Sequence, residues 1–419
     1  MNVNSTTPDF GNVFVATALV ILPLAVLAPL AIAWAAALPA LWIVIIYLRA
    51  GRYPWEGRSW LIPAVLISIV VYSALTVIWS VSPDRTQHIA TKLLPIVIGG
   101  WLLVGAAVQL DEHARRRTSI ALLCGGTVAL ILVAVEVATG GLLQGLIRGA
   151  EFKATGNLIH LNRTASQLAI LISLLWLALD RQLGPTAAAV GVGLTAVAVF
   201  SLDPDTPQFA AFASIIFFTL AYIVPRIAQG LMIAGVLTVA LAIPLYPFIL
   251  PIVDSTLSSM NIGNFSLRHR FAIWDFAATR TMEKPILGWG LGTSRVVPGA
   301  DGTADLLRRG AETLPLHPHN ALLQMWLELG IPGILLALVA VVTILSKITR
   351  YVSGRKELAT ALTVIFSATL IAELSYGIWQ SWWLVFLWVL AALTIVITGT
   401  PARTDAARDA NSGQCPPDA

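Results

Sequence analysis

Apolar residues run along this chain in blocks of about twenty, parted by short polar segments, and only one long stretch late in the chain breaks the rhythm. A membrane-spanning helix needs about 20 mainly apolar residues, and the blocks predict about twelve. Two fit within 13–48, with Pro29 near their junction. Further spans are expected over 61–81, 89–108, 119–139, 164–179, 186–202, 209–224 and 231–252. The tenth ends near Leu345, and the last two cover 359–375 and 378–397, with a tight junction at Tyr376 and Gly377. The predicted fold class is an all-α integral membrane protein of about twelve transmembrane helices, with one large helical loop between spans nine and ten. In domain terms, residues 1–250 hold spans one to nine, 251–319 the loop, 320–400 spans ten to twelve, and 401–419 a polar tail expected to be disordered.

The loop is too long for a simple connector, and loops of that size are usually functional or disordered. Helical periodicity argues against disorder. Leu267, Phe271, Trp274 and Ala278 fall at i, i+4, i+7 and i+11, one face of a helix. Ser266 suits its N-cap, and Pro285 and Gly288 its end. Arg268, Arg270, Asp275 and Arg280 lie largely off that stripe, so the expected element is an amphipathic helix on the membrane surface with arginines turned into a cleft.

Composition agrees with the membrane reading: 57% of residues are hydrophobic and 11% charged, where a soluble domain carries roughly 25% charged. The net charge of +4 is dispersed, with no basic tract interleaved with aromatics, so nucleic acid is not an expected partner. Cys124 lies in an apolar run and Cys415 in the tail, which predicts neither a disulfide nor a cysteine metal site. No Lys or Arg precedes the first apolar run, so that run is read as a retained span. With the N-terminus placed inside, fourteen Lys/Arg fall in inside segments and five in short outside loops, the long loop holding the other seven. The positive-inside rule then sets both termini in the cytoplasm and the loop outside, which in a two-membrane bacterium is the periplasm.

Chemistry concentrates in the loop. His317-Pro318-His319-Asn320 precedes an apolar helix, and proline is favoured at a first helical position, which would put His319 and Asn320 in the first turn. A helix N-terminus disfavours imidazolium, so a histidine there stays neutral and can act as a general base. The same four letters also suit a plain helix cap. Two histidines at i, i+2 without a nearby carboxylate make a poor metal pair, and no metal is expected. Arg268, Arg270 and Arg280, with Arg163 at the mouth of the sixth span, are candidate diphosphate ligands because a guanidinium fork matches phosphate oxygens; anchoring to lipid headgroups is the alternative. Gly288-Trp289-Gly290-Leu291-Gly292 lacks the Lys-Ser/Thr of a nucleotide loop and reads as tight turns. Glu136 and Glu373 are acids within predicted spans, candidates for function or for structural pairing. Trp379, Trp382 and Trp383 suggest an interfacial belt.

Taken in order, Arg270-x-x-x-Trp274, the 288–292 turn, His319-Asn320-x-x-Leu323-Gln324 and Glu328-Leu329-Gly330-Ile331-Pro332-Gly333 resemble the O-antigen ligase and polymerase superfamily, as do 156–165 and the topology in outline. The resemblance implies a metal-independent, inverting glycosyltransferase of the bacterial inner membrane with its active site facing the periplasm. Its donor would be an undecaprenyl-diphosphate-linked O-antigen and its acceptor the lipid A core, completing lipopolysaccharide, with no cofactor. Carried over, Arg270 and Arg163 would hold the diphosphate and His319 would deprotonate the acceptor hydroxyl. His317 competes for the base and Arg268 and Arg280 for the donor, while Asn320, Trp274 and Glu373 would support the site. The alternatives are an O-antigen polymerase joining two diphosphate-linked glycans and, from another class, a lipid-linked glycan transporter.

Overall fold

The computed structural model describes residues 9–51, 61–148, 158, 161–260, 265–302, 313–314 and 316–399. The tail over 401–419, with Arg403, Arg408 and Cys415, lies outside the described residues, as do Arg52, Arg58, Lys153 and most of 156–160. Among the described residues there is no strand. The helices in chain order are α1 Gly11–Leu27, α2 Ile32–Ala35, α3 Ala37–Arg49, α4 Leu61–Leu75, α5 Pro83–Ala107, α6 Glu112–Thr139, α7 Leu142–Arg148 and α8 Asn162–Leu183. They continue with α9 Pro185–Phe200, α10 Asp205–Ile223, α11 Pro225–Ala242, α12 Tyr246–Ser259, α13 Phe265–Glu283, α14 Ala321–Tyr351, α15 Arg355–Leu374 and α16 Ser381–Thr398.

Among the described residues, ten helical stretches are long and apolar enough to cross a membrane by length and composition. Two shorter apolar helices, Gly11–Leu27 and Pro185–Phe200, fall on the remaining two predicted spans. Large apolar side chains face outward along these helices, among them Trp34, Leu38, Leu241 and Phe248. Apolar surface on that scale fits a lipid environment, not water. The protein is thus an all-α, multi-pass membrane protein.

The middle of the bundle is α8. Every residue from Thr164 to Leu175 is buried, with α1, α6, α9, α10, α15 and α16 packed around it. A helix enclosed by protein need not be uniformly apolar, which is why α8 carries Ser166, Gln167 and Ser173 yet lies at the centre. The segment from α11 to α12 is the opposite case: strongly apolar and mostly facing outward.

Two boundaries and one helix face differ from the expectation. The ninth span does not stop near 250, because α12 runs on to Ser259 through Pro251. Ser255, Thr256, Ser258 and Ser259 hydroxyls bond carbonyls three or four residues back, which suits a helix leaving an apolar medium. Ser266 is inside α13 and is not its cap. The buried face of α13 is Ile273, Ala277, Ala278 and Thr281, so of the 267/271/274/278 stripe only Ala278 is fully buried. Small residues there let α13 pack close to α14, while the larger Phe271 and Trp274 sit half-buried at its sides.

Candidate active site

Five segments meet at one end of the bundle: the starts of α8 and α10, the flank of α13, residues 316–320 before α14, and residues 375–382 between α15 and α16. The site is built from the 316–320 segment outward. Asn320 has extended backbone angles (φ −150°, ψ 113°) and its side chain accepts from the Leu323 amide at 2.8 Å, so it is the N-cap of α14. Pro318 therefore does not open the helix, and His319 stands just before the cap, outside the first turn. His319 is the one non-glycine residue with positive φ (54°) among the described residues. Such a conformation costs roughly 1–3 kcal/mol and persists only where neighbours over-determine it. Here they do. The Trp274 indole donates to Pro318 O at 2.8 Å, and the His319 amide meets His317 Nδ1 at 3.2 Å. His319 Nδ1 lies 2.5 Å from the Ser375 carbonyl.

That last contact assigns the tautomer. A carbonyl oxygen only accepts, so Nδ1 carries the proton and Nε2 keeps its lone pair. Burial lowers the His319 pKa below its usual value, and the nearby Arg270 and His269 lower it further, against an opposing effect of the Ser375 carbonyl. The ring is thus neutral near pH 7, with Nε2 free to accept a proton. His317 is different. Its Nδ1 accepts from the His319 amide at 3.2 Å, so in the neutral ring the proton sits on Nε2, which lies 3.2 Å from the Gln380 side-chain amide, and no ring lone pair is left for a substrate. Burial first, then His319 and Arg295, push its pKa down to about 3. His317 therefore braces the loop and is a far weaker base.

The candidate arginines separate. Arg270 is close enough to His319 to shift its titration, and its guanidinium donates to Thr206 Oγ1 on α10 at 3.0 Å. Arg163 stands over the Trp382 ring at 5.4 Å, and its Nε is buried without a hydrogen-bond partner among the described residues. Its charge acts on Tyr376, which burial nevertheless raises to about 12 and whose hydroxyl pairs with Ser166 Oγ at 2.9 Å. Because Tyr376 follows Ser375, the same turn touches both Arg163 and His319. Arg268 points elsewhere, gripping Asp254 with two bonds of 3.0 and 3.1 Å. Arg280 pairs with Glu283 at 2.6 Å and lies ten residues, about 15 Å, along α13 from Arg270. The structure sets Arg270 near the imidazole and Arg163 against the turn that carries Ser375, and it turns Arg268 and Arg280 away.

Glu373 accepts from the Leu322 amide at 3.4 Å, sharing the α14 N-terminus with Asn320. Glu136 accepts from the Leu143 and Gln144 amides at 2.7 and 3.0 Å, an anchor for α7. Trp382 and Trp383 are buried and Trp379 is half-buried, so they pack inside the protein and form no outward belt. No group of three or more His, Cys, Asp or Glu able to hold a metal occurs among the described residues.

Sequence reasoning missed the support beneath the site. Glu328 is fully buried and its carboxylate takes the Gly292 and Ser294 amides, the Ser294 hydroxyl, Gln324 Nε2 at 3.0 Å and Trp379 Nε1 at 2.7 Å. One turn earlier, Gln324 Oε1 accepts from the Ile378 amide at 3.0 Å. Next to it α14 breaks at Gly330 (φ 68°, ψ −164°). A Cβ there would lie 2.1 Å from Ile286 O, so only glycine fits. The break frees the carbonyls of 327–329, which accept from the Trp289 and Gly290 amides and the Tyr72 hydroxyl at 2.8–2.9 Å. The glycine turn over 288–292 is thus a plug seated in a helix kink, and no phosphate cradle.

Comparison with known proteins agrees with this architecture. Residues 188–338 match a family model described as O-antigen ligase. The chain is 29% identical over 308 residues to a candidate polysaccharide ligase of Rickettsia conorii, covering 71% of each chain. A Rickettsia typhi counterpart is 29% identical over 281 residues, covering 66% of this chain and 67% of its own. One from Rickettsia felis is 29% identical over 303 residues, covering 70% of each. No solved structure gives a match.

Proposed function

With the O-antigen ligase superfamily supported for this chain by the match over 188–338 and by its relatives, we propose that it transfers a polysaccharide from undecaprenyl diphosphate to a sugar hydroxyl of the lipid A core. The relatives described as polysaccharide ligases support ligase activity on polysaccharide. The observation that carries the proposal is His319: a neutral imidazole with Nε2 unengaged among the described residues, within electrostatic reach of the Arg270 guanidinium.

In this mechanism the acceptor O–H gives its proton to His319 Nε2 while its oxygen attacks the anomeric carbon. The bond from that carbon to the diphosphate oxygen breaks on the opposite face, giving inversion. Undecaprenyl diphosphate leaves as an anion and needs no acid catalyst. Arg270 and Arg163, fixed before the reaction, stabilise the charge that develops on it. Burial pushes the Arg270 pKa down from its usual value, yet a guanidinium remains charged at neutral pH. An anion beside it offsets that desolvation. We place the site on the periplasmic face of the inner membrane, with both termini in the cytoplasm.

The test is transfer between lipid-linked donor and lipid A core in detergent, without a membrane gradient. Wild type is expected to move glycan, and His319→Ala to lose at least about 100-fold in kcat, the usual scale of general-base loss. Arg270→Lys and Arg163→Lys are expected to rescue poorly, since lysine lacks the planar fork. Full activity in His319→Ala would remove the proposed base. Joining of two diphosphate-linked donors, with no transfer to the core, would make the protein a polymerase.

A further inference from the structure

A second cavity, mostly apolar in its walls but holding three charged side chains, lies on the side of α13 turned away from Arg270. Arg268, Phe271, Ala272 and Asp275 are spaced i, i+3, i+4 and i+7, so they form one stripe of the helix. The stripe faces the last turns of α12, where Leu250, Pro251, Asp254 and Ser255 complete the walls of a cavity of about 180 Å³.

Its chemistry is selective. The one cation, Arg268, is already neutralised by Asp254 through two bonds. Asp275 has no hydrogen bond or ion pair at its carboxylate among the described residues, and burial raises its pKa above the ordinary carboxylate range. Two carboxylates against one arginine repel a phosphate or diphosphate. A half-buried carboxylate without a donor is instead satisfied by neutral hydroxyls, which can also bond the outer edges of the Asp254–Arg268 pair. Phe271 adds a flat apolar wall, suited to the C–H face of a sugar ring. Its ring lies 6.0 Å from Trp274, whose indole holds Pro318 beside His319.

We propose that the Asp254–Arg268–Phe271–Asp275 cavity is a glycan subsite, binding an uncharged pyranose unit of a substrate chain at a distance from the reacting bond. The proposal rests on the glycan-transfer reading of the main site. The unit belongs either to the donor polysaccharide or to the acceptor core; the chemistry is the same. Binding here fixes the chain across α13 and shares the helix that carries Arg270, so binding energy from a remote sugar orients the reacting one.

The experiment measures transfer by the purified full-length protein in detergent, varying donor and acceptor lipids separately. Asp275→Asn and Phe271→Leu, both close in shape to the native side chains, are expected to raise KM for one of the two by about tenfold with kcat within twofold. Phe271→Trp, which keeps an aromatic wall, is expected to stay near wild type. A KM rise confined to the donor assigns the subsite to the polysaccharide, and one confined to the acceptor assigns it to the core. Unchanged KM for both substrates in both variants overturns the proposal, as does a fall in kcat alone. Loss of kcat in His319→Gln, measured alongside, reports on the main site independently. If wild type transfers nothing, Trp fluorescence titration with the polysaccharide freed from its lipid by mild acid decides the matter. Saturable binding weakened by Phe271→Leu supports a glycan subsite, and no binding ends it.

Discussion

At the scale of single residues, the site turns on which nitrogen holds which proton. His319 gives Nδ1–H to Ser375 O and keeps the Nε2 lone pair, while His317 spends its Nδ1 lone pair on the His319 amide and carries its proton on Nε2. Two pH effects follow. The His319 pKa lies below the ordinary 6.5, so the proposed base stays neutral through pH 6.5 and is lost only at lower pH. The acid limb of kcat/KM is expected at a pKa below 6.5, and a limb at or above 6.5 would contradict the assignment. For His317 the folded pKa is about 3 against roughly 6.5 unfolded. A lowered folded pKa contributes stability above pH 6.5 that is lost as pH falls toward 3. The loss reaches about 1.4 kcal/mol per pH unit within that window. Thermal melts in detergent are expected to fall between pH 6.5 and 4, and His317→Gln to lessen the slope while lowering the midpoint at neutral pH.

At the scale of elements, the sequence was informative wherever a feature is local. The spans follow from twenty-residue apolar blocks, and His319, Arg270 and Trp274 stand out as candidates through motifs that need no partner to be seen. What could not be read is long-range. Arg268 and Arg270 look alike in sequence, yet two residues turn a helix by about 200°, sending one to Asp254 and the other to Thr206 and His319. Pro318 looks like a helix start because Asn320's capping geometry is visible only in three dimensions. Glu328 reads as one acid in an apolar run, because its donors come from 292–294, Gln324 and Trp379. That carboxylate joins α14, the glycine turn and the 375–380 segment carrying Ser375, so it positions His319 through its neighbours. Leaving a buried donor without its acceptor costs about 1–3 kcal/mol, and Glu328 serves several. Glu328→Ala is therefore expected to lower the melting midpoint sharply and abolish transfer. Glu328→Gln, which keeps the shape and one accepting oxygen, is expected to recover part of both. A Glu328→Ala protein as stable as wild type would show that the network carries little weight.

At the scale of the whole molecule, α8 ties the site to an orientation. Arg163 near its start lies by Tyr376 and Trp382. Arg181 near its end, about 27 Å further along the axis, bonds Ile397 O and Glu357. That separation is close to the roughly 30 Å of a bilayer's hydrocarbon core. Around Arg181 the cations gather: Arg115 caps the end of α16 through Ile395 O and Val396 O, and Lys356 pairs with Asp180. Clustered Lys and Arg mark the cytoplasmic side, so the His319 end is expected to face the periplasm, where a glycan carried on an outward-facing lipid can reach it. The orientation is testable with single cysteines in a background lacking Cys124, which is exposed on α6, and Cys415. In intact spheroplasts a membrane-impermeant maleimide is expected to label Leu316→Cys, at the exposed rim of the site, and to spare Leu183→Cys at the far end of α8 until the membrane is opened. The reverse pattern would put the imidazole in the cytosol, where acceptor transfer from a periplasmic carrier cannot occur.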